Sequence, residues 1–482
     1  MDHPPHVMTK GVAMRHMFRS GPTAGGLREL LRLALPSILV FSCLAIAPAA
    51  LARPSAWSWR AISDPVATPS FTITNNGFGA SWDSSSGVVA PSASTAYVAG
   101  SAGNADGNDD VTLAKITNGA QSWLKRYDGP AHKADGAFDV AMGPGGVVYT
   151  VGYSKNAIDR EDFLVVKWSA SGKVLWARRY DGPLHGDDRA PYLGVDRYGN
   201  VTVAGWSQGT GGLDWAVVNW SAGGVRRWAW RYGGSAHLDD RPADVVVTPA
   251  GDVYVTGSAS VTGPKTAALT VKFSATGKKV WSKLYLGTAN LGANTIGMTP
   301  RAGGGVITCG ITEAAATAAD GLVMSYTVTG KRLVFTPDVG TGHQSFYDVA
   351  VASNGTIAAV GRDLASGDTQ ARTRLYKNDG TALTSGSSVG GAWDDAFLAV
   401  ATDRFGGVYP IGYYGAAAGK QLWIGRAPVV TGGGSWASKW GTPDGSNYAG
   451  GIAVAGTTVY VVGMYYGGPA ELGNQVVLVY KY

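Results

Sequence analysis

The sequence predicts an all-β fold, a single eight-bladed β-propeller of four-stranded blades. Three observations support this prediction: a regular repeat, the kind of segments the repeat contains, and the way the two ends of the chain complement each other. A Gly closes a short strand-like run eight times, at intervals of 51 to 53 residues. A period near 50 residues is typical of propellers and solenoids rather than of separate domains. The glycines are Gly100, Gly152, Gly205, Gly257, Gly310, Gly361, Gly412 and Gly463.

Each repeat contains four strand-like runs separated by turn residues. Residues 136–188 show them clearly, as FDVAM (138–142), a run ending at Gly152, FLVVKWS (163–169) and VLWARRY (174–180). β-Branched and aromatic residues fill the runs and Gly, Asn and Asp fill the turns, which favours a propeller. The fourth run carries a recurrent tryptophan, which we expect to fill the wedge between blades rather than to bind sugars. These residues are Trp123, Trp176, Trp228, Trp281 and Trp436.

The two ends of the chain predict how the ring closes. The last repeat stops at QVVLVYKY (475–482), after its third run, and lacks a fourth. The segment FTITNNG (71–77) has the spacing of a fourth run but no first three runs before it. Pairing the two segments completes an eighth blade and removes two exposed sheet edges. Seven blades would result only if a degenerate repeat merged with its neighbour.

Composition limits the classes of protein that fit. Gly accounts for 70 of 482 residues and charged residues for 15%, as many turns between apolar strands would require. The formal net charge is +6, and three of these charges come from the first 52 residues. The rest of the sequence shows no basic stripe, which argues against nucleic acid as a partner. Cys43 lies in a segment that we expect to be removed, so Cys309 would be left as a buried, inert thiol without a disulfide partner.

The N-terminal segment predicts export. Residues 1–52 have the pattern of a signal peptide: a basic flank, an uncharged apolar run at 33–52, and small residues at Ala50-Leu51-Ala52. The alternative is an uncleaved membrane anchor, because about 20 apolar residues can just span a bilayer. Residues 53–68 read as a linker and 69–482 as the propeller. We therefore expect a secreted or otherwise extracytoplasmic protein of the cell envelope, monomeric, with no membrane contact apart from such an anchor.

The repeat unit resembles a known family. The pattern D-x-G-N-x-x-V-x-G, followed by D-x-x-V-x-K and by W-x-x-x-Y-x-G, is read over 196–234 and its copies, and it is similar to the bacterial SBBP β-propeller repeat. The resemblance covers roughly 69–482 and is specific for fold, not for function. That family is named for seven blades, so the count of eight departs from it.

A second, partial resemblance is to the quinoprotein dehydrogenases, whose eight-bladed propellers join their blades through a Thr-Gly-x-x-x-Trp docking motif. Here TGKKVW (276–281) matches the motif and SGKVLW (171–176) nearly does. The motif is structural and therefore supports eight blades rather than a quinone. The disulfide between neighbouring cysteines that those enzymes typically use cannot form in this chain.

Histidine marks the candidate ligand-binding face. Outside the first 16 residues the chain has four histidines, and each follows the fourth run of a repeat. In a propeller this segment joins the outermost strand of one blade to the innermost strand of the next, so these side chains are expected on one face. The candidates are His132, His185, His237 and His343, with Trp393 at the same position of a later repeat, and Asp135, Asp188 and Asp240 three residues after the first three histidines.

Two interpretations of this face remain open. In the first, His and Asp bind a metal or another ligand at the mouth of the axial channel. Equivalent points on adjacent blades at a radius of ~10 Å would lie ~8 Å apart, however, whereas the ligands of one zinc ion lie within ~3–4 Å of each other. In the second interpretation, which we favour, each His and Asp forms hydrogen bonds within or between blades.

Carboxylates ahead of the third run recur on the same face, at Asp110, Asp162, Asp214 and Asp320. The cluster DGNDD (106–110) leaves calcium open as a bound ion, although it lacks the Glu and the spacing of an EF-hand loop. Turn hydrogen bonding is the explanation that we favour for these residues. No cofactor is predicted, and which metal this face would bind is unknown from the sequence.

The sequence contains no H-E-x-x-H or P-loop pattern. G-x-S-x-G occurs at 205–209 and 386–390, but no helical pattern follows either match, as a nucleophile elbow would require. We therefore expect an exported, non-catalytic propeller that acts as a binding or scaffold protein for a protein or glycan at the cell surface. The alternative is a propeller enzyme with a metal- or quinone-dependent site at the channel mouth.

Overall fold

We describe the computed structural model of the chain over residues 10–11, 69–75, 84–263, 265–287, 290–314, 318–335, 342–365, 368–387, 394–416, 419–428, 436–441, 447–465 and 474–481. These residues form eight antiparallel sheets arranged around one axis, so the predicted eight-bladed β-propeller is confirmed. The one helical element among them is a 3₁₀ turn at Pro144–Gly146. No helix in this part of the chain has the length and apolar character needed to cross a membrane.

The first half of the ring follows directly from the repeat. The chain begins with β1 (Lys10–Gly11) and β2 (Phe71–Asn75), which belong to the last blade. Blade 1 comprises β3 (Ser84–Ser92), β4 (Thr95–Gly103), β5 (Asp109–Thr117) and β6 (Ala120–Tyr127). Blade 2 comprises β7 (Asp135–Met142), β8 (Val148–Lys155), β9 (Glu161–Trp168) and β10 (Val174–Tyr180). Blade 3 comprises β11 (Arg189–Val195), β12 (Val201–Gln208), β13 (Leu213–Trp220) and β14 (Arg226–Tyr232). Blade 4 comprises β15 (Arg241–Val247), β16 (Val253–Val261), β17 (Lys265–Phe273) and β18 (Lys279–Tyr285).

The second half repeats the same order of strands. Blade 5 comprises β19 (Ala293–Pro300), β20 (Val306–Ala314), β21 (Ala318–Tyr326) and β22 (Arg332–Val334). Blade 6 comprises β23 (His343–Val351), β24 (Ile357–Ala365), β25 (Asp368–Tyr376) and β26 (Ala382–Ser387). Blade 7 comprises β27 (Ala396–Thr402), β28 (Gly407–Ala416), β29 (Gly419–Pro428) and β30 (Trp436–Trp440). Blade 8 comprises β31 (Tyr448–Ala455), β32 (Thr458–Tyr465) and β33 (Asn474–Lys481), completed by β2.

The recurrent glycine has a steric cause. In every blade the innermost strand has a bulge, and the repeat glycine of the second strand lies opposite it. A Cβ at Gly152 would overlap the backbone carbonyl of Gly136, and a Cβ at any of the other seven repeat glycines would overlap the innermost strand in the same way. Only glycine permits this close approach of two backbones. The spacing of the glycines therefore counts the blades.

The hydrophobic core lies between blades rather than within them. One cluster joins Tyr149 and Phe163 of blade 2 to Val203 of blade 3, and another joins blades 7 and 8. The indole Nε1 of Trp176 donates a hydrogen bond to the carbonyl of Ala222 in the next blade, at 3.0 Å. The four recurrent tryptophans of blades 1 to 4 pack at these junctions, as predicted. Cys309 is buried in this core.

Three aspartates share one position of the innermost strands, near the axis, and two of them connect neighbouring blades. None of the three was predicted from the sequence. They are Asp139, Asp244 and Asp348, one residue after the bulge in blades 2, 4 and 6. Asp244 accepts a hydrogen bond from the backbone of Met298 at 2.9 Å, and Asp348 from that of Val400 at 3.0 Å. Each acceptor lies one blade before its donor. These contacts hold adjacent blades together where the strands approach most closely.

The ring closes as the sequence predicts. β2 pairs with β33, Phe71 opposite Val479 and Asn75 opposite Gln475, and supplies the outermost strand of blade 8. The side chain of Gln475 donates to the carbonyl of Ser101 at 2.8 Å, which ties blade 8 to blade 1.

The N-terminal segment contributes one pairing that was not predicted. β1 pairs with the inner edge of β31 as a fifth strand of that sheet, with Lys10 opposite Ile452. The remainder of the predicted signal peptide and all of the predicted linker lie outside the described residues. Both assignments stay predictions.

Candidate functional site

The histidines of the candidate face occupy one position of a tight turn between blades. The backbone N–H of His132 donates to the carbonyl of Gly129 at 2.9 Å, and His185 and His237 make the same bond in the next two turns. All three have φ near +50°, in the left-handed region, and Asn290 takes that conformation in the fourth turn. Among residues other than glycine, Asn, Asp and His adopt this conformation most readily. The turn thus explains why His recurs at this position.

Two of the three histidines are paired with a carboxylate. The Nδ1 atom of His132 lies 2.5 Å from Oδ2 of Asp128, and that of His185 lies 2.6 Å from Oδ2 of Asp181. This hydrogen bond raises the pKa of both histidines above the ordinary value. In the third turn Gly233 replaces the aspartate, so His237 lacks this partner. All three imidazoles are exposed to solvent.

The aspartates that follow the histidines are buried and structural. One carboxylate oxygen of Asp135 accepts from the backbone N–H of Gly129, and Asp188 and Asp240 accept from Gly182 and Gly234 in the same way. The backbone N–H of Asp188 donates to the carbonyl of Glu161 in the preceding blade at 2.6 Å. Each aspartate thus holds its turn closed, and Asp188 and Asp240 also fasten the next innermost strand to the previous blade. This geometry agrees with the favoured interpretation, hydrogen bonding within and between blades.

Other polar residues fill the aspartate position elsewhere in the ring. The register of the strands aligns Gln344, Asp395 and Asn447 with Asp135. All four residues are buried. Asp395 accepts from the backbone of Gly415 at 2.7 Å, and the backbone of Asn447 donates to the carbonyl of Lys420 at 2.9 Å. The position carries no charge in blades 6 and 8, and in blade 5 it is the buried Ala293, so a charge is not required there.

Burial perturbs the acidity of these carboxylates. Loss of hydration raises the pKa of Asp135 and that of Asp162 to about 6. It also raises the pKa of Asp188 and Asp240, with backbone hydrogen bonds opposing the shift. Desolvation disfavours the charged form of a carboxyl group, which gives the direction of all four shifts.

Two groups of three carboxylates converge on this face. Asp110, Asp128 and Asp135 each place one oxygen within 4.8 Å of the others, and Asp162, Asp181 and Asp188 repeat the arrangement one blade later. Carboxylate oxygens are the ligands that calcium prefers. Each group also has an arginine of the protein next to it. Arg126 lies 3.7 Å from Asp110, and Arg179 lies 3.8 Å from Asp162. In the third turn Gly233 removes one carboxylate, and Arg231 lies 3.0 Å from Asp214.

Two candidates do not join the turns. The structure places His343 at the first residue of β23, partly buried, and not in the left-handed turn position. Burial and the nearby Arg362 lower its pKa. The strand register aligns Gln344, the residue directly after His343, with the buried aspartates, which lie three residues after their histidines in blades 2 to 4. The sixth repeat is therefore offset from the spacing of the other repeats. Trp393 lies outside the described residues.

Exposed aliphatic side chains beside the histidines were missed by the sequence analysis. Leu184 is 47% exposed, Leu238 52% and Leu291 36%, each next to the left-handed residue of its turn. Ile158, in the β8–β9 turn on the same face, is 71% exposed. We call this surface, made of residues 128–134, 156–160, 181–187, 233–239 and 290–291, the turn face. In the sequence, the apolar residue next to each of these turn positions could have indicated this exposed surface.

Comparisons with known proteins support the fold and no more. Neither known protein families nor curated proteins give a match to the chain. Among solved structures, Sqt1 from Chaetomium thermophilum is similar over 86% of this chain and 99% of its own, with a TM-score of 0.53 at 10% identity. Sqt1 bound to the N-terminus of the ribosomal protein L10 is similar over 86% of this chain and 100% of its own, with a TM-score of 0.54 at 10% identity. Identity this low indicates a shared propeller architecture, not a shared function.

Proposed function

We propose that the chain is an exported, non-catalytic β-propeller that binds a protein at the cell surface through its turn face. One observation carries the proposal: the buried carboxylates of this face support the turns, while His and aliphatic side chains are exposed on rigid loops. Leu184 and Leu238 are the clearest examples. Exposed apolar groups in a polar surround are typical of protein interfaces.

The turns are well suited to a fixed interface. Each is closed by a hydrogen bond between its first and last residues and anchored by a buried aspartate, as at Gly182, His185 and Asp188. A pre-ordered loop loses little conformational entropy on binding, which favours affinity. Sqt1, whose fold is similar, is bound to the N-terminus of a ribosomal protein in one of its structures. A protein partner therefore suits this face better than a glycan, because aliphatic side chains gain most by burial against other apolar groups.

The alternative, a metal- or quinone-dependent enzyme, would require free convergent carboxylates. On the turn face the buried aspartates accept backbone hydrogen bonds, and Arg126 and Arg179 neutralise their neighbours. Calcium at the two carboxylate groups would serve to hold the turns. Export, location in the cell envelope and membership of the SBBP repeat family are parts of the same proposal, supported by the N-terminal pattern and the repeat.

Site-specific photo-crosslinking tests the interface. A photoreactive amino acid is placed at Leu184 or Leu238, and separately at Tyr198 or Phe405, which are similarly exposed on turns joining the first and second strands, at the opposite end of the blades. On intact producing cells we expect one discrete cross-linked product from the first pair and none from the second.

The matching variant is Leu184→Asp with Leu238→Asp. This variant, without a photoreactive amino acid, is added in excess to test whether it competes with the photoreactive protein for the cross-linked partner. Both side chains are exposed, so thermal stability should be unchanged while competition is lost. Equal cross-linking from both ends of the molecule would reject the turn face as the interface.

A further inference from the structure

The outer rim of blades 1 to 5 carries positive charge only. In each of these blades the outermost strand and the hairpin leading into it contain Lys or Arg and no Asp or Glu, over residues 118–127, 169–180, 221–232, 274–285 and 327–335. The thirteen cations are Lys125, Arg126, Lys173, Arg178, Arg179, Arg226, Arg227, Arg231, Lys278, Lys279, Lys283, Lys331 and Arg332. We call this surface the basic rim.

Most of the basic rim is not neutralised within the protein. Arg126, Arg179 and Arg231 lie at the turn-face end and form ion pairs with the aspartates ahead of the third strands. The other ten cations are exposed, and none of them forms an ion pair with a described residue. Unpaired exposed charges of one sign repel each other, and an anionic partner relieves that repulsion.

The charges run from blade to blade across the junctions. The aliphatic part of Lys125 packs over Gly172 of the next blade, and Lys283 packs over Gly330 in the same way. The Nε atom of Arg178 donates to the carbonyl of Gly224 at 2.7 Å. The side chains at the end of one blade thus reach the hairpin of the next. The result is a curved belt of positive charge around more than half of the ring.

Protection of sheet edges does not account for this distribution. Charged residues on edge strands prevent strand pairing between molecules. Every blade has an exposed outer edge to protect, and both positively and negatively charged side chains would protect it. The corresponding segments of blades 6 to 8 carry only Lys377, Asp379, Lys439 and Lys481. The concentration of a single sign on blades 1 to 5 calls for a second explanation.

We propose that the basic rim binds an anionic polysaccharide, a flexible polymer whose carboxylate or sulfate groups meet the cations of successive blades. Arg and Lys suit such groups through charge-assisted hydrogen bonds. A flat bilayer would touch a convex belt at one or two blades only. Proteins that bind single-stranded nucleic acid stack bases on open aromatic faces. Here the tryptophan rings at the junctions are covered, as where Trp281 stacks on Tyr326 at 5.7 Å and Trp228 on Phe273 at 5.7 Å.

The proposal is tested by binding of the full chain to polygalacturonate, with neutral dextran, single-stranded DNA and phosphatidylglycerol vesicles as the other ligands. The rim variant is Lys125→Glu with Lys279→Glu, since both side chains are exposed and neither forms an ion pair with a described residue. The control variant is Lys377→Glu with Lys439→Glu, which changes the same charge on the other part of the rim.

We expect binding to polygalacturonate that weakens as salt is added, and none to dextran. The rim variant should bind about tenfold more weakly, a loss of ~1.4 kcal/mol, while the control variant keeps its affinity. Equal losses in both variants, no binding at low salt, or binding to dextran would overturn the proposal. Tighter binding to DNA or to the vesicles than to polygalacturonate would also overturn it. The turn face plays no part in this measurement, so its outcome is separate from that of the proposed function.

Discussion

At the junctions that lead into blades 2, 3 and 4, a buried aspartate holds the turn between blades closed. Asp135 is fully buried and accepts the backbone N–H of Gly129, which no other described group satisfies. The equivalent residue in blade 8 is Asn447, and in blade 6 it is Gln344. Asn447 and Gln344 are uncharged, and Ala293 takes this place in blade 5, so the position does not require a negative charge. At Asp135 the fold needs an acceptor for the N–H of Gly129.

Two substitutions of Asp135 should therefore differ in their effect on the free energy of unfolding. Asp135→Ala leaves a buried N–H without an acceptor, so the free energy of unfolding should fall by about 1–3 kcal/mol. Asp135→Asn keeps an oxygen for Gly129 and removes a charge that burial disfavours, so stability at pH 7 should be retained or increased. Denaturant unfolding of the three proteins measures the difference. A loss as large for Asn as for Ala would show that the charge itself is required.

The raised pKa of Asp135, about 6, also predicts a pH dependence. An unfolded aspartate has a pKa of about 3.9, so between these values the folded state binds a proton that the unfolded chain does not. The contribution of this group to stability is therefore unfavourable at pH 7, improves as pH falls through about 6, and levels off below about 4. The advantage of Asp135→Asn over the wild type should be larger at pH 7 than at pH 5. Thermal unfolding at both pH values checks this, and an advantage independent of pH would contradict it.

Within a blade, the pairing of the first two strands depends on the repeat glycine. A Cβ at Gly152 would overlap the carbonyl of Gly136 on the bulged innermost strand. Backbone cannot move aside as a flexible side chain does, so Gly152→Ala should destabilise the protein by about 1–3 kcal/mol or more. Gly223→Ala is the control, because its Cβ would meet only a side-chain atom, at 3.8 Å. Equal denaturation midpoints for the two variants would refute this explanation of the repeat.

The blades could be counted from the sequence because their signature residue has a local steric cause. One local contact determines each of these residue types, the repeat glycine, the turn residues and the tryptophan, so the same types recur in successive blades. Asp139, Asp244 and Asp348 were missed because they recur only in alternate blades. His343 was misplaced because the sixth repeat is offset relative to the others, and spacing alone does not reveal where such an offset falls.

The basic rim was missed for a different reason. A basic stripe shows in a sequence as a continuous run of Lys and Arg, whereas the cations of successive blades are separated by about one repeat and come together only in the ring. The net charge of +6 conceals them, because carboxylates balance them elsewhere, many on the turn face. Charge segregation between parts of the surface is a property of the folded molecule.

At the scale of the whole molecule, the ring is held closed by β2. A chain beginning at residue 84 would leave β33 as an unpaired edge in blade 8. We expect it to unfold at a lower temperature and to associate through that edge. Addition of a peptide spanning 69–77 should restore the lost stability in proportion to its concentration. An unchanged melting temperature would show that the contacts between blades close the ring without this strand.

Closure by β2 also sets the order in which the protein can mature. Phe71 pairs with Val479, so a strand made before blade 1 has no partner until the third strand of blade 8 has been made. Contacts this distant in sequence form late in folding. A chain cut short in its final repeat would keep two open edges, one at each end of an incomplete ring, and such edges attract proteases and other chains. The position of one five-residue strand thus makes closure of the ring a sign that the eighth blade has been made.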